Sequence, residues 1–127
     1  MAVSMSAPIL VVNDYNTMVR ILRNLLRQLG FSNIDEANNG AAALTKLRAQ
    51  PYQLVISDWN MTPMTGAELL QRVRADARLS STRFMLVGAE DSEEMRRASR
   101  AGADAFLAKP FNAQSLKQKL TGVLGAF

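Results

Sequence analysis

The sequence contains no cysteine and no histidine. Without cysteine the chain can form neither a disulfide nor a thiolate metal site, which is compatible with a reducing cytosol. Without histidine it cannot carry a phosphohistidine of its own. No apolar run approaches the ~18 residues of a membrane-spanning helix, and residues 1–7 lack the basic and apolar regions of a secretory signal. We therefore expect a soluble, cytoplasmic protein without a membrane segment.

The 127 residues fit one domain of ordinary size, and 48% hydrophobic residues are enough for a core over about residues 8–124. The net charge is +4, and eleven of the fifteen basic residues are arginine. Guanidinium groups suit phosphate and carboxylate recognition, but an arginine-rich composition is equally typical of a solvated surface. The charge therefore leaves an anionic partner open.

Short apolar runs alternate five times with segments of helical periodicity, which is typical of a doubly wound α/β fold with a five-stranded parallel sheet. The predicted strands are Ile9–Val12, Ile34–Ala37, Leu54–Ile56, Phe84–Val87 and Ala105–Ala108. The predicted helices run from Asn16 to Gly30, Gly40 to Ala49, Thr65 to Ala75, Asp91 to about Gly102, and Asn112 to Leu124.

Several helix ends have recognisable signals. Asn16 is the predicted cap of the first helix, and Gly30 supplies the left-handed residue that ends it. Thr65 with Glu68, and Asp91 with Glu94, have the spacing of a capping box. The residues predicted to face inward are Met18, Leu22, Leu25 and Leu29, then Leu44 and Leu47, and finally Leu116, Leu120, Val123 and Leu124.

Polar side chains follow three of the predicted strands. Asn13 and Asp14 follow the first strand, Asp58 ends the third, and Lys109 follows the fifth. Open α/β sheets place their ligands at the carboxyl ends of the strands. Two carboxylates, an amide and an ammonium at one such edge suit an oxygen-ligated divalent cation beside a phosphoryl group.

These residues stand in ordered motifs, and the chain resembles the response-regulator receiver domains from Ile9 to about Leu124, in particular their stand-alone, CheY-like members. The motifs are Val11-Val12-Asn13-Asp14, Ser57-Asp58-Trp59-Asn60-Met61, Ala89-Glu90 and Lys109-Pro110-Phe111. The resemblance implies a flavodoxin-like (βα)5 fold with strand order 2-1-3-4-5. It also implies a single receiver domain over residues 1–127, which assists its own phosphorylation and dephosphorylation and is not an enzyme with a separate substrate.

The resemblance also implies roles for individual residues. Asp58 would accept a phosphoryl group from a histidine kinase or phosphotransfer protein, and Lys109 would contact the phosphoryl oxygens. Asp14, Asp58 and the backbone carbonyl of Asn60 would bind Mg²⁺. The peptide bond before Pro110 would be cis.

Some positions depart from the family pattern. Asn13 replaces a carboxylate of the acidic pair, so we expect weakened Mg²⁺ binding, with Asn13 a weak or water-mediated ligand. At the switch positions Gly88 lacks the family's hydroxyl and Phe106 lacks the phenol that is often present, whereas Glu90 retains the pattern. Proline stands one residue later than usual, in Thr62-Pro63, which predicts a different path for this loop.

Two functions remain open at this stage. The first is a working but modified receiver, a monomer that signals to a downstream protein, with a flagellar motor switch protein the first to test. The second is a phosphorylation-independent module that binds a protein or an anionic ligand, such as a cyclic dinucleotide, through Arg96, Arg97 and Arg100 on the fourth helix. Against this, Glu93 and Glu94 would pair with Arg97 on an ordinary solvated face. No motif supports DNA binding.

Overall fold

The computed structural model describes residues 4–89 and 92–127, and within these ranges five strands alternate with five helices. The strands are β1 (Ile9–Val12), β2 (Ile34–Ala37), β3 (Leu54–Asp58), β4 (Arg83–Ala89) and β5 (Ala105–Lys109). The helices are α1 (Asn16–Gln28), α2 (Gly40–Ala49), α3 (Gly66–Ala75), α4 (Ser92–Arg100) and α5 (Ala113–Leu124).

The strands form one parallel sheet in the order β2-β1-β3-β4-β5, which confirms the predicted topology. Every residue of β1 and β3 is buried, because helices cover both faces of the sheet. The strand order reverses between β1 and β3. The carboxyl ends of these two strands therefore flank the crevice in which such folds bind ligands.

Alternate residues of each central strand contribute to two separate apolar layers. Ile9 and Val11 pack on one face of the sheet with residues of α1 and α5. Leu10 and Val12 pack on the other face with residues of α2, α3 and α4. The period-two alternation of a strand produces this division, and each layer is built largely from apolar side chains.

The structure confirms most of the predicted helix ends. Gly30 has φ +109°, and Thr65 and Glu68 form both halves of a capping box. The prediction that Asn16 caps α1 is wrong, because Tyr15 is the N-cap residue and its side chain makes no capping bond. The preceding turn is instead closed by Asn13, whose side chain accepts a hydrogen bond from the Tyr15 amide. Asp91, predicted to cap α4, lies outside the described residues.

The inward faces are confirmed for α2, where Leu44 and Leu47 are buried. The predicted stripe of α1 is partly wrong. Leu22 is buried, but the other fully buried residues are Val19 and Leu26, while Met18, Leu25 and Leu29 pack at the edge of the core. The buried face is rotated because α1 contacts both the sheet and α5. On α5, Leu116 and Leu120 are buried, and Val123 and Leu124 are partly buried.

A network of hydrogen bonds connects β2 to α2 and to the segment before β3. Asp35 accepts hydrogen bonds from the Tyr52 hydroxyl and from Lys46 at 2.9 Å. Partial burial would by itself raise the pKa of Asp35, but these donors outweigh it and hold that pKa below its usual value. Burial, together with the bond to Asp35, raises the pKa of Tyr52. None of the helices in the described ranges is both long enough and apolar enough to span a bilayer.

Candidate functional site

Asp58 is the last residue of β3 and is only 5% exposed. The next residue, Trp59, donates its amide to the Val87 carbonyl at 2.7 Å, which holds the chain against β4 beyond the end of the strand. Lys109 ends β5, and its Nζ lies 2.7 Å from Asp58 Oδ1. The fold thus brings together two side chains that are 51 positions apart in sequence, as their places at strand ends predicted.

The Asp58 carboxylate has few partners for a buried charge. Its Oδ1 atom is shielded from solvent, and in the part of the chain that the structure describes no group donates a well-directed hydrogen bond to it. The Lys109 ammonium is its electrostatic partner. Such a carboxylate retains the capacity to bind a further cation or to form a new bond.

The start of α3 packs closely against the Asp58 backbone. A Cβ atom at Gly66 would collide with the Asp58 carbonyl oxygen, so only glycine allows this approach. The Gly66 amide also donates to the Trp59 carbonyl at 3.0 Å and closes the loop between β3 and α3. Asn60 lies in that loop, and the Thr62–Pro63 bond within it is cis. The cis bond predicted before Pro110 is also present.

The two polar residues after β1 point to different partners. Asn13 is buried, and its Oδ1 accepts the 3.0 Å bond from Tyr15, so its amide oxygen serves the local turn. Asp14 is exposed, and its Oδ2 accepts a bond from the Thr62 amide at 3.2 Å. Asp14 thus reaches the loop that follows Asp58, and the two carboxylates belong to one edge of the sheet.

This donor set fits a magnesium ion. The described residues contain no cluster of three acidic or histidine side chains, but the carboxylates of Asp14 and Asp58 belong to the same edge of the sheet, and Asn60 follows in the loop after β3. Magnesium accepts hard oxygen ligands and commonly retains several waters, so it needs few protein ligands. The side chains present are therefore chemically suited to it.

Phe106 lies with its ring inward and is 8% exposed. A Cβ atom at Gly88 would lie 2.9 Å from Phe106 Cζ, so the ring can occupy this position because residue 88 has no side chain. The ring also meets Trp59 edge to face, with centroids 6.5 Å apart. This contact links Phe106 to the residue that follows Asp58. Glu90, predicted at the edge of the site, lies outside the described residues.

Two of the three arginines on α4 share one carboxylate of the same helix. Glu93 pairs with Arg96 at 3.0 Å and with Arg97 at 3.3 Å. The expectation that Glu94 joins this pairing with Arg97 is wrong, because its carboxylate lies near Gly88. Sequence reasoning missed this contact, since Glu94 has the spacing of an ordinary first-turn residue.

A surface pocket of about 510 Å³ lies between α3 and α4. Its lining includes Trp59, Gln71, Arg97 and Arg100, but not Arg96. The three arginines that were considered as one anion site therefore do not share this pocket.

Comparison with known proteins places the chain among receivers. The family model for the response regulator receiver domain matches residues 9–121. The chain is 45% identical over 113 residues to chemotaxis protein CheY of Pseudomonas aeruginosa, covering 88% of this chain and 91% of that protein. It is 43% identical over 113 residues to chemotaxis protein CheY-3 of Vibrio cholerae, covering 88% and 87%.

Solved structures give the same result for the fold. Chemotaxis response regulator CheY4 of Vibrio cholerae superposes with a TM-score of 0.86 at 31% identity, covering 94% of this chain and 99% of that one. The receiver domain of sensor histidine kinase PA1611 from Pseudomonas aeruginosa, solved with a magnesium ion in its active-site cleft, superposes with a TM-score of 0.85. At 23% identity, with 95% of this chain and 99% of that chain covered, this second likeness concerns the fold alone.

Proposed function

The chain belongs to the response regulator receiver domain family, and from this premise we propose that it is a stand-alone, single-domain receiver that accepts a phosphoryl group on Asp58. One observation carries the proposal. The Asp58 carboxylate is buried at the carboxyl end of β3 and has the Lys109 ammonium 2.7 Å from Oδ1. A nucleophilic oxygen and a cation are thus placed side by side, where the fold binds ligands.

In the proposed reaction an Asp58 carboxylate oxygen attacks the phosphorus of a phosphohistidine. An oxygen–phosphorus bond forms, the nitrogen–phosphorus bond breaks, and its electron pair returns to the imidazole of the donor. Phosphoryl transfer requires mainly positioning and charge neutralisation. Lys109 contributes both, because its ammonium faces the oxygens of the incoming group. Bound magnesium would neutralise further negative charge on the same oxygens.

Asp14, Asp58 and the Asn60 carbonyl would hold that magnesium ion. Hydrolysis then reverses the change: water attacks phosphorus, the carboxylate leaves with the bonding electron pair, and the protons of the water go to phosphate and solvent. Receivers are signalling proteins that assist this chemistry on themselves. The chain is accordingly not proposed to act on a separate substrate.

Residues 1–127 contain no histidine, so the phosphoryl donor lies outside them. We propose a histidine kinase or phosphotransfer protein as donor and a monomeric receiver as acceptor. Relatives that are 43–45% identical are named chemotaxis proteins, so a protein of the flagellar motor switch is the first downstream target to test. A role as a cyclic-dinucleotide module is not proposed, since Arg96 and Arg97 already pair with Glu93.

The proposal is tested by treating the protein with acetyl phosphate or beryllofluoride in the presence of magnesium and measuring intact mass. We expect one adduct on the wild type and none on Asp58→Asn. Asp104→Asn is a matched control, because Asp104 is an aspartate whose carboxylate bonds to Arg74 and the Phe84 amide, away from the site. If the wild type and Asp58→Asn remain equally unmodified at millimolar donor, the receiver chemistry is absent.

Asn13→Asp is expected to strengthen magnesium binding. The substitution restores a carboxylate at the end of β1 at a position that is 2% exposed, where charge attraction is weakly screened. Magnesium titration of Trp59 fluorescence measures the affinity, since Trp59 adjoins Asp58. Asn39→Asp, at the cap of α2, is the control for adding the same charge elsewhere. Equal affinities in wild type and Asn13→Asp would show that residue 13 serves only the Tyr15 turn.

A further inference from the structure

Glu94 stands in the first turn of α4 and is half-buried, with its Oε2 atom shielded from solvent beside Gly88 near the end of β4. A Cβ atom on Gly88 would lie 3.0 Å from Glu94 Oε2 and 2.9 Å from Phe106 Cζ. The carboxylate and the ring thus border the space that a side chain at position 88 would fill. Within residues 4–89 and 92–127, no group hydrogen-bonds to the shielded Oε2 atom.

A shielded carboxylate oxygen without a hydrogen bond is energetically unfavourable. The position of Glu94 Oε2 therefore needs an explanation. The neighbouring Glu93 behaves differently: its side chain is exposed and pairs with Arg96 and Arg97. Both glutamates lie in the first turn of α4, so the helix dipole favours both. The dipole therefore does not explain why Glu94 alone points to Gly88.

Gly88 lies close to both the Glu94 carboxylate and the strand end that carries Asp58. In the sheet Asp58 pairs with Val87, the residue before Gly88, and neighbouring strands lie about 4.8 Å apart. The two carboxylates thus belong to the same edge of the sheet. A phosphoryl group on Asp58 adds negative charge there, and like charges repel strongly where water is excluded.

We propose that Glu94 senses the phosphoryl group on Asp58 by charge repulsion. When Asp58 gains this group, the Glu94 carboxylate leaves its place beside Gly88 and Phe106 and moves the first turn of α4 with it. This mechanism rests on the proposed function and needs no hydroxyl at position 88. It has a thermodynamic consequence: a charge that the phosphorylated state must expel opposes phosphorylation, so its removal favours that state.

The test compares Glu94→Gln with the neighbouring Glu93→Gln, which removes the same charge from the same helical turn. Beryllofluoride with magnesium mimics the phosphoryl group, and Trp59 fluorescence reports its binding. We expect Glu94→Gln to bind it roughly tenfold more tightly than wild type, because a repulsion at a partly buried position is removed. Glu93→Gln, which removes an exposed charge, should change the affinity less than about twofold. Glu94→Ala should act in the same direction as Glu94→Gln.

A second readout separates charge sensing from simple packing. Amide chemical shifts of α4 should move on beryllofluoride addition in wild type and in Glu93→Gln, and move clearly less in Glu94→Gln, where no carboxylate is expelled. If wild type responds but both glutamine variants have its affinity and its shifts, Glu94 is not the sensor, while the receiver function stands. If wild type binds no beryllofluoride, the receiver function and this mechanism fail together.

Discussion

Lys109→Ala is expected both to destabilise the protein and to slow phosphorylation of Asp58. The Asp58 side chain is 6% exposed, so removal of the ammonium 2.7 Å away leaves a buried carboxylate without its cation. Breaking a fully buried pair costs about 3–5 kcal/mol; because the Lys109 side chain is 35% exposed, we expect about 1–3 kcal/mol here. Loss of one cation from the phosphoryl oxygens should slow labelling by acetyl phosphate about 100-fold.

Chemical denaturation and a double-mutant cycle check the stability part. Asp58→Asn removes the buried charge, so it should cost little, and Lys109→Ala should then cost almost nothing in the Asp58→Asn background. Lys117→Ala is the control, because Lys117 is an exposed lysine on α5 whose ammonium lies 5.5 Å from the Phe127 ring centroid. An equal cost of Lys109→Ala in both backgrounds would show that the ion pair contributes nothing to stability.

The fold could be read from the sequence because its signals are local. Short apolar runs and helical periodicity set the elements, and Gly30 and the Thr65–Glu68 pair define helix ends by their own backbone chemistry. The placement of Asp58 and Lys109 followed from the same logic, since strand ends of a parallel sheet meet at one edge. Their functional roles came from the resemblance to receivers.

The errors arose where a side chain has two possible partners. Asn16 has a residue type suited to a cap, but Asn13 closes the turn before α1 through the Tyr15 amide. Glu94 has the spacing of a solvated helix residue, yet it turns inward because Gly88 provides no side chain to exclude it. Such choices depend on contacts between residues that are distant in sequence or on loop geometry, and periodicity carries no information about them.

Gly88→Thr is expected to displace Phe106 and to enlarge the response to phosphorylation. The new Cβ atom would lie 2.9 Å from Phe106 Cζ, closer than two carbon atoms pack, so something must shift, and we expect the ring to turn from its inward position. Exposing an aromatic ring costs about 1.5–3 kcal/mol, offset by roughly 0.5–1 kcal/mol from replacing glycine within a strand. We therefore expect a net loss of about 1–2 kcal/mol in the free energy of unfolding without ligand.

The larger response of α4 to phosphorylation is expected to come from the threonine hydroxyl and not from displacement of Phe106. Gly88→Ala, which lacks the hydroxyl, separates the two effects. Alanine brings the same Cβ atom, so it should displace Phe106 and alter Trp59 fluorescence as threonine does, because the 6.5 Å contact between the two rings is lost in both. Only threonine adds a hydroxyl that can contact the phosphoryl oxygens, and a ligand shifts a conformational equilibrium only through such differential contacts. Chemical-shift changes on α4 with beryllofluoride should thus be larger in Gly88→Thr than in Gly88→Ala or wild type. Identical changes in all three proteins would mean that a hydroxyl at position 88 adds nothing to the signal that reaches α4.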